Sequence, residues 1–460
     1  MIDIAEVLRP VFDGSEILTN EPDLTHYGQD WSRYLRPNPS AIVFPKEQDQ
    51  IIELVRLART RGLKLVPSGG RTGLSGGATA CDGEVVVSFE RMRAIIDYIE
   101  EDQLVRLQPG CITATLQNFA EDQGLFYPVD FASAGSSQVG GNIATNAGGI
   151  KVLRYGLTRA WVAGLSVVTG QGEAMTFNAG LMKNATGPDL QQLFIGSEGI
   201  FGMVTQAWMR LTAKPQSLRV MVLGVQNLED TLRVLKVARQ NLAVTAFEFF
   251  SKEAANHVTQ HLGESSSLPD APFFVLIEYE TRNNADDAGV STFDALYREG
   301  IVVDGILSQS ERENAALWRY REGISEAITP RTPYKHDLSV SIHQAPAFLK
   351  AVNELVRQSL KGVEVIWFGH IGDGNVHLNL LRPEGEPIEE FQARCEPVGD
   401  AIMAIVQAFG GSVSAEHGIG QLKKRYLKYT RSEAEINQLR SLKRAFDPDG
   451  VMNPGKVIDV

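Results

Sequence analysis

Apolar positions along the chain change their period at definite points, and the elements can be read from those changes. Ala41-Ile-Val-Phe44 is a short apolar run and predicts a strand. From Glu47 to Arg61 the apolar residues Ile51, Ile52, Leu54, Val55 and Ala58 fall on one helical face. Leu63-Lys-Leu-Val-Pro67 predicts the next strand and closes a β-α-β unit. Glu84-Val-Val-Val-Ser88 and Val162-Ala-Gly-Leu-Ser-Val-Val168 read as further strands. From about Pro215 glycine thins out and strand and helix patterns alternate. Leu218 to Gly224, Ala246 to Phe250, Phe273 to Glu278 and Gly362 to Phe368 predict strands, and Leu228 to Leu242 an amphipathic helix. This second half reads as an antiparallel sheet with helices on one side. After Gly420 the chain is helical and basic, ending in Phe446-Asp-Pro-Asp-Gly-Val-Met-Asn-Pro-Gly-Lys456. The whole is of the α+β class.

At 460 residues the chain exceeds one ordinary core, so more than one domain is expected. Its 43% hydrophobic and 22% charged content is that of a globular protein. A net charge of −12 argues against binding nucleic acid or an anionic membrane surface, yet leaves room for a basic pocket. The N-terminal Met1-Ile-Asp-Ile-Ala-Glu has no basic segment before an apolar core, and no apolar run reaches the length of a membrane span. Cys81, Cys111 and Cys395 are isolated thiols, which fits a reducing cytoplasm.

Two glycine-rich loops change the picture from fold to chemistry. Ser68-Gly-Gly-Arg-Thr-Gly-Leu-Ser-Gly-Gly77 lets backbone N–H groups approach a phosphate, with hydroxyls as further donors. It is not a Rossmann fingerprint, because the next regular element is a strand rather than a helix. Ala134 to Gly149 consists almost wholly of small and amide residues and suits main-chain contacts to a flat ring. Two such loops in one half, followed by Ile195 to Thr205, point to a large nucleotide cofactor.

A second chemistry lies near the other end. Trp367-Phe-Gly-His-Ile-Gly-Asp-Gly-Asn-Val-His-Leu-Asn379 brackets a Gly-Asp-Gly turn with His370 and His377. The strand period puts His377 and Asn379 on one face. Ser414-Ala-Glu-His-Gly-Ile-Gly420 adds Glu416 and His417. Two imidazoles and a carboxylate make a ligand set for a divalent ion with positions left for substrate. His257 and His261 share the i, i+4 spacing of ligands but lack a third, so a surface helix explains them; His26, His336 and His343 receive no role.

Taken together, Pro67 to Leu74, Gly141-Asn-Ile-Ala-Thr-Asn-Ala-Gly-Gly149, Gly196-Ser-Glu-Gly199, the His370 to His377 motif, Glu416-His417-Gly-Ile-Gly420 and Asn453-Pro-Gly-Lys-Val457 resemble the FAD-linked D-2-hydroxyacid dehydrogenases of the vanillyl-alcohol oxidase flavoprotein family. The resemblance spans nearly the whole chain and keeps motif order. It implies a two-subdomain FAD-binding domain over 1–213, an antiparallel-sheet substrate domain over 214–413 and a short helical C-terminal segment, 414–460, that returns to the flavin. FAD contacts are then expected from Pro67, Ser68, Gly69, Gly70, Arg71, Thr72, Gly73, Leu74, Ser136, Ser137, Gly140, Gly141, Asn142, Thr145, Asn146, Gly148, Gly149, Tyr155, Glu198, Gly199, Gly202, Val204 and Asn453. No residue is an evident tether, so the attachment is expected to be non-covalent.

The same resemblance implies a metal, zinc foremost, on His370, His377 and Glu416, with His417 as the base and Asn379 orienting substrate. Hydride would pass from C2 of the hydroxyacid to flavin N5. Arg321, Ser325 and Lys335 match the places that hold a distal carboxylate, which points to D-2-hydroxyglutarate with D-malate as a second substrate. On one helix Arg321 and Ser325 would share a face. A D-lactate or glycolate dehydrogenase is the rival reading, and a non-catalytic flavin-binding subunit a more distant one. The expected acceptor is an electron-transfer flavoprotein or a quinone, and a homodimer is compatible with the chain.

Overall fold

A computed structural model describes residues 3–281 and 288–460; Met1 and Ile2, part of the stretch read for a signal segment, lie outside. The contacts divide the chain into two units. One comprises 1–148, 156–214 and 416–460; the other comprises 149–155 and 215–415.

In the first unit, the β-α-β reading corresponds to β2 (Ala41–Val43), α1 (Gln48–Arg61) and β3 (Leu65–Ser68). Helix α1 buries Ile51, Leu54, Val55 and Ala58 against the sheet and stops at Gly62, whose φ of 68° is the left-handed conformation that glycine tolerates. β4 (Val85–Ser88) lies between β2 and β3, parallel to both, and β1 (Ile17–Leu18) adds an antiparallel edge. An antiparallel sheet follows, formed by β5 (Ile95–Ile99), β6 (Leu104–Leu107), β7 (Val162–Thr169), β8 (Ala174–Phe177) and β9 (Gly202–Arg210) in the order β5-β6-β9-β7-β8. The C-terminal segment returns to this unit. Leu65 N–H donates to Val451 O at 2.9 Å, and Asn453 N–H donates to Leu65 O at 2.7 Å. Buried Lys443 donates to Ile200 O and Met452 O, both at 2.6 Å, and pairs with Asp447 at 2.5 Å.

The second unit is built on a seven-stranded antiparallel sheet in the order β13-β10-β12-β11-β15-β16-β14. Its strands are β10 (Leu218–Val225), β11 (Ala243–Ser251), β12 (Phe273–Glu280), β13 (Asp304–Leu307), β14 (Tyr334–Ser339), β15 (Glu364–Gly369) and β16 (Asn375–Leu381). Helices cover both faces, not one as the pattern suggested. On the first face Val220, Val222, Ala246, Phe250 and Leu276 pack with Leu317, Trp318 and Ile324 from helices. On the other, helix Ala288–Arg298 is close enough that a Cβ on Gly289 would meet the Tyr279 hydroxyl at 2.0 Å and Met221 at 3.5 Å. The reason lies in β10, where Val220, Met221, Val222 and Leu223 are all fully buried, so both faces need cover.

Segment 149–155 joins this unit through a buried polar cluster. Lys151 Nζ and the Thr245 hydroxyl both donate to Glu278 Oε1, and Trp318 Nε1 donates to Glu278 Oε2 at 3.1 Å. No helix among the described residues is long and apolar enough to cross a membrane.

Candidate active site

The glycine-rich loops of the first unit are packed so closely that side chains would not fit between them. A Cβ on Gly70 would stand 2.0 Å from Ser136 O, and one on Gly140 2.5 Å from Pro109 Cβ. Arg71, Asn146, Glu198 and Asn453 adopt positive φ, a cost that surrounding structure must enforce. Several expected cofactor residues use their side chains to brace the loops. Asn142 Nδ2 donates to Thr113 Oγ1 at 2.7 Å, Ser137 and Thr113 share a hydrogen bond of 2.7 Å, and Thr145 Oγ1 donates to Gly141 O at 3.0 Å. Asn146 Oδ1 accepts from Arg159 N–H at 3.0 Å. The Arg71 guanidinium pairs with Glu90 at 2.8 Å and lies over Tyr27. Gly202 and Val204 are strand residues of β9, where a Cβ on Gly202 would meet Val168 O at 2.5 Å. Gly149 and Tyr155 belong to the second unit.

Other polar atoms here are left over. Ser68 Oγ, Gln138 Oε1 and Asn453 Oδ1 are buried with no hydrogen-bond partner among the described residues. Each such atom costs roughly 1–3 kcal/mol when unpaired, so a ligand with polar edges along these loops suits them. Orphaned acceptors and donors beside main chain stripped of side chains fit a dinucleotide such as FAD, which Ser68 to Leu74, Ser136 to Asn146 and Asn453 could hold.

Glu198, expected at the cofactor, turns both carboxylate oxygens to the segment after His417. Ile419 N–H and Gly420 N–H donate to it at 2.7 and 2.8 Å. Burial raises its carboxyl above the ordinary range, against the pull of those two amides. Ser75 Oγ lies 2.9 Å from His417 O and 3.0 Å from Gly418 O. The first glycine-rich loop and Glu198 thus fix the backbone that carries Glu416 and His417, whose side chains approach each other at 3.9 Å. Asn453 Nδ2 closes the arrangement on Gly77 O and Glu198 O.

In the second unit, strand register gathers the remaining candidates. Phe368 pairs with His377, and Ile366 with Asn379, across β15 and β16; Asp337 pairs with His377, and Lys335 with Asn379, across β14 and β16. Directly paired residues share a face, so Lys335, Asp337, His377 and Asn379 stand together. His370 follows β15, and its ring centroid is 5.6 Å from that of His377. His370 Nδ1 is 2.7 Å from Glu248 Oε1, and His377 Nδ1 is 3.6 Å from Asp337 Oδ1. Asn379 Nδ2 is buried and unpaired, a donor suited to an anionic oxygen. An imidazole with a carboxylate hydrogen-bonded at its Nδ1 and a second imidazole with a carboxylate 3.6 Å from its Nδ1 are groups that could serve a divalent ion. Asp337 Oδ2 accepts from Ala415 N–H at 3.0 Å, and Oδ1 from Asn375 Nδ2 at 2.8 Å.

Arg321 is buried, its Nε 2.7 Å from Glu248 Oε2 and its guanidinium 4.8 Å above the Phe368 ring. The single helix expected to carry Arg321 and Ser325 is instead two. Helix Glu311–Glu322 ends at Gly323, and Ile324–Ile328 follows. A Cβ on Gly323 would stand 2.8 Å from Arg319 O and 3.5 Å from Val258. Arg321 is turned inward, whereas Ser325 is exposed. Lys335 is open to solvent, yet enough protein surrounds it that lost hydration lowers its ammonium pKa. Arg319 is on the surface near Glu264, and His257 and His261 face Glu364 and Glu326.

Sequence reasoning missed Glu248 and Asp337. A signal existed for the first: Ala246-Phe-Glu-Phe-Phe250 puts a carboxylate on the same parity as buried apolar residues of an interior strand.

The FAD binding domain family matches residues 39–178, and the family described as FAD linked oxidases, C-terminal domain, matches residues 214–457. The D-2-hydroxyglutarate dehydrogenase of Stutzerimonas stutzeri is 49% identical over 99% of this chain and 98% of its own. That of Xanthomonas citri is 45% identical over 96% and 94%. A putative mitochondrial D-lactate dehydrogenase of Schizosaccharomyces pombe is 32% identical over 97% and 87%. Among solved structures, p-cresol methylhydroxylase with substrate bound superposes with a TM-score of 0.74 at 15% identity, covering 99% of this chain and 96% of that one. Alkyldihydroxyacetonephosphate synthase gives 0.73 at 18%, covering 98% and 84%. At those identities the two structures speak for a shared fold alone. The chain belongs to the FAD-linked oxidase family and is an oxidoreductase with the fold of the vanillyl-alcohol oxidase flavoproteins.

Proposed function

We propose that this member of the FAD-linked oxidases converts D-2-hydroxyglutarate, and D-malate as a shorter dicarboxylate, to the 2-oxoacids. Its electrons would pass to an electron-transfer flavoprotein or a quinone. The observation that carries the reading is a buried guanidinium, Arg321, over Phe368, on the sheet face that also bears His370, His377, Asn379 and Lys335. The Stutzerimonas and Xanthomonas relatives support the choice of substrate.

FAD held by the first unit supplies the two-electron acceptor, and a divalent ion on His370, His377 and Glu416, with zinc expected, supplies a Lewis acid. The residues of the chain do the rest. Arg321 and Lys335 bind the distal carboxylate, where a guanidinium offers a bidentate fork, and Ser325 lends a hydroxyl. Asn379 donates its unpaired N–H to a substrate oxygen. His417 takes the proton of the C2 hydroxyl, a task suited to imidazole near neutral pH.

The test is anaerobic bleaching of the flavin absorbance by D-2-hydroxyglutarate, D-malate, D-lactate, glycolate and the L-enantiomers in turn. Fast reduction by the D-dicarboxylates is expected. Equal or faster reduction by D-lactate would move the enzyme to the monocarboxylate reading, which the Schizosaccharomyces relative keeps open.

A further inference from the structure

Glu248 does more than bury a charge. It lies in β11, an interior strand, and its side chain is fully buried. Antiparallel pairing puts Phe249 opposite Gly369, so the next step along both strands sets Glu248 opposite His370. Its two oxygens face different partners. Oε1 is 2.7 Å from His370 Nδ1, and Oε2 is 2.7 Å from Arg321 Nε. A carboxylate facing a ring nitrogen makes that nitrogen the donor, so His370 carries its proton on Nδ1 and its lone pair on Nε2. The contact of Oε2 with Arg321 Nε is a close ion pair without hydrogen-bond alignment; it draws the root of the guanidinium fork to Glu248, and the Phe368 ring lies beneath it. Among the described residues, no hydrogen-bond partner meets the two terminal guanidinium nitrogens.

We infer that Glu248 is a positioning residue that fixes the tautomer of His370 for a metal and, through its other oxygen, aims Arg321 at the distal carboxylate of the substrate. This rests on the dicarboxylate and metal reading above. One carboxylate would then couple the two ends of substrate recognition, C1–C2 at the metal and C5 at the guanidinium. Glutamine cannot replace it. Turned to accept from His370, its amide presents N–H groups to the guanidinium; turned the other way, it presents them to the imidazole.

The test compares wild type with Glu248→Gln, both as FAD-loaded protein stripped of metal. Zinc is titrated against a competing chelator without substrate, and then, at saturating zinc, KM and kcat are measured for D-2-hydroxyglutarate and D-lactate. Zinc affinity should fall 10- to 100-fold, the range for losing an outer-shell carboxylate. KM for D-2-hydroxyglutarate should rise severalfold more than that for D-lactate. A variant that is less stable yet keeps wild-type zinc affinity and KM would make Glu248 a merely structural ion pair and overturn the inference. Wild type that takes up no zinc would sink the metal reading and this inference together, so the two failures are told apart. Should the variant not fold, ¹⁵N-histidine NMR of the wild-type protein decides. A proton on Nδ1 of His370 is expected, and a proton on Nε2 overturns the assignment.

Discussion

His417 is the residue on which the proposed chemistry turns, and its backbone is held apart from its side chain. Ser75 and Glu198 grip the chain at positions 417 to 420 through main-chain contacts. His417→Ala should therefore leave the loop and the flavin in place while removing the base. Flavin reduction by D-2-hydroxyglutarate should slow by about 10²- to 10⁴-fold, the usual worth of a positioned general base. Stopped-flow bleaching checks this, and a wild-type rate would remove His417 from the mechanism. Arg321→Leu should act on a different constant. It removes the guanidinium and leaves Glu248 facing His370 alone, so KM for D-2-hydroxyglutarate should rise well beyond that for D-lactate. Steady-state kinetics with both substrates separate the cases, and parallel changes would demote Arg321 to a packing residue.

At the scale of elements, the polar cluster that joins 149–155 to the sheet makes a demanding test. Lys151 and Glu278 of β12 form a buried ion pair, with Thr245 and Trp318 completing the carboxylate's partners. Lys151→Met keeps much of the side-chain volume but strands a buried carboxylate. Such losses cost about 3–5 kcal/mol, and chemical unfolding should show a drop of that order. An unchanged midpoint would mean that Glu278 finds another partner. The cluster also shows where sequence reading ends. Strands β2, β3, β4, β7, β10, β11, β12, β15 and β16, helix α1, the histidine turn and the shared face of His377 and Asn379 were legible because each follows a local pattern, whereas β5, β6, β8, β9, β13 and β14 were not read. Glu248 beside His370, Lys151 beside Glu278 and Glu198 beneath Ile419 were not, since each pair is separated by more than a hundred residues and depends on strand register or loop closure. Gly323 marks a middle case. The sequence displayed the glycine, but the helix break at Gly323, which separates buried Arg321 from exposed Ser325, appears only in the structure.

Glu198 also gives the first unit a pH dependence with a definite sign. Its carboxyl is raised in the folded protein, so below the unfolded value, about 4.3, it is protonated in both states and costs nothing. As pH rises through the raised folded value, the folded state must ionise a buried group, and that stability is lost. Glu198→Gln lacks this loss. The difference in melting temperature, variant minus wild type, should therefore become more positive as pH rises across that window. A difference independent of pH would show that the carboxyl is not raised.

For the molecule as a whole, the candidate ligands divide between the units, with Glu416 in the first and the two imidazoles in the second. The residues that fit FAD lie in the glycine-rich loops and Asn453 of the first unit, whereas both candidate metal-binding imidazoles, His370 and His377, stand on the sheet of the second. Each imidazole has its carboxylate, Glu248 or Asp337, within its own unit, and the loop that carries Glu416 is held by main-chain contacts to Ser75 and Glu198 rather than through the Glu416 side chain. Dialysis against a strong chelator should therefore abolish reduction by D-2-hydroxyglutarate while the flavin absorbance and the FAD content stay unchanged. Added zinc should restore reduction. Elemental analysis beside the absorbance spectrum makes the test decisive: full reduction in protein shown to be free of metal would end the proposal that His370, His377 and Glu416 work through an ion. Loss of FAD together with the metal would show that the two sites depend on one another.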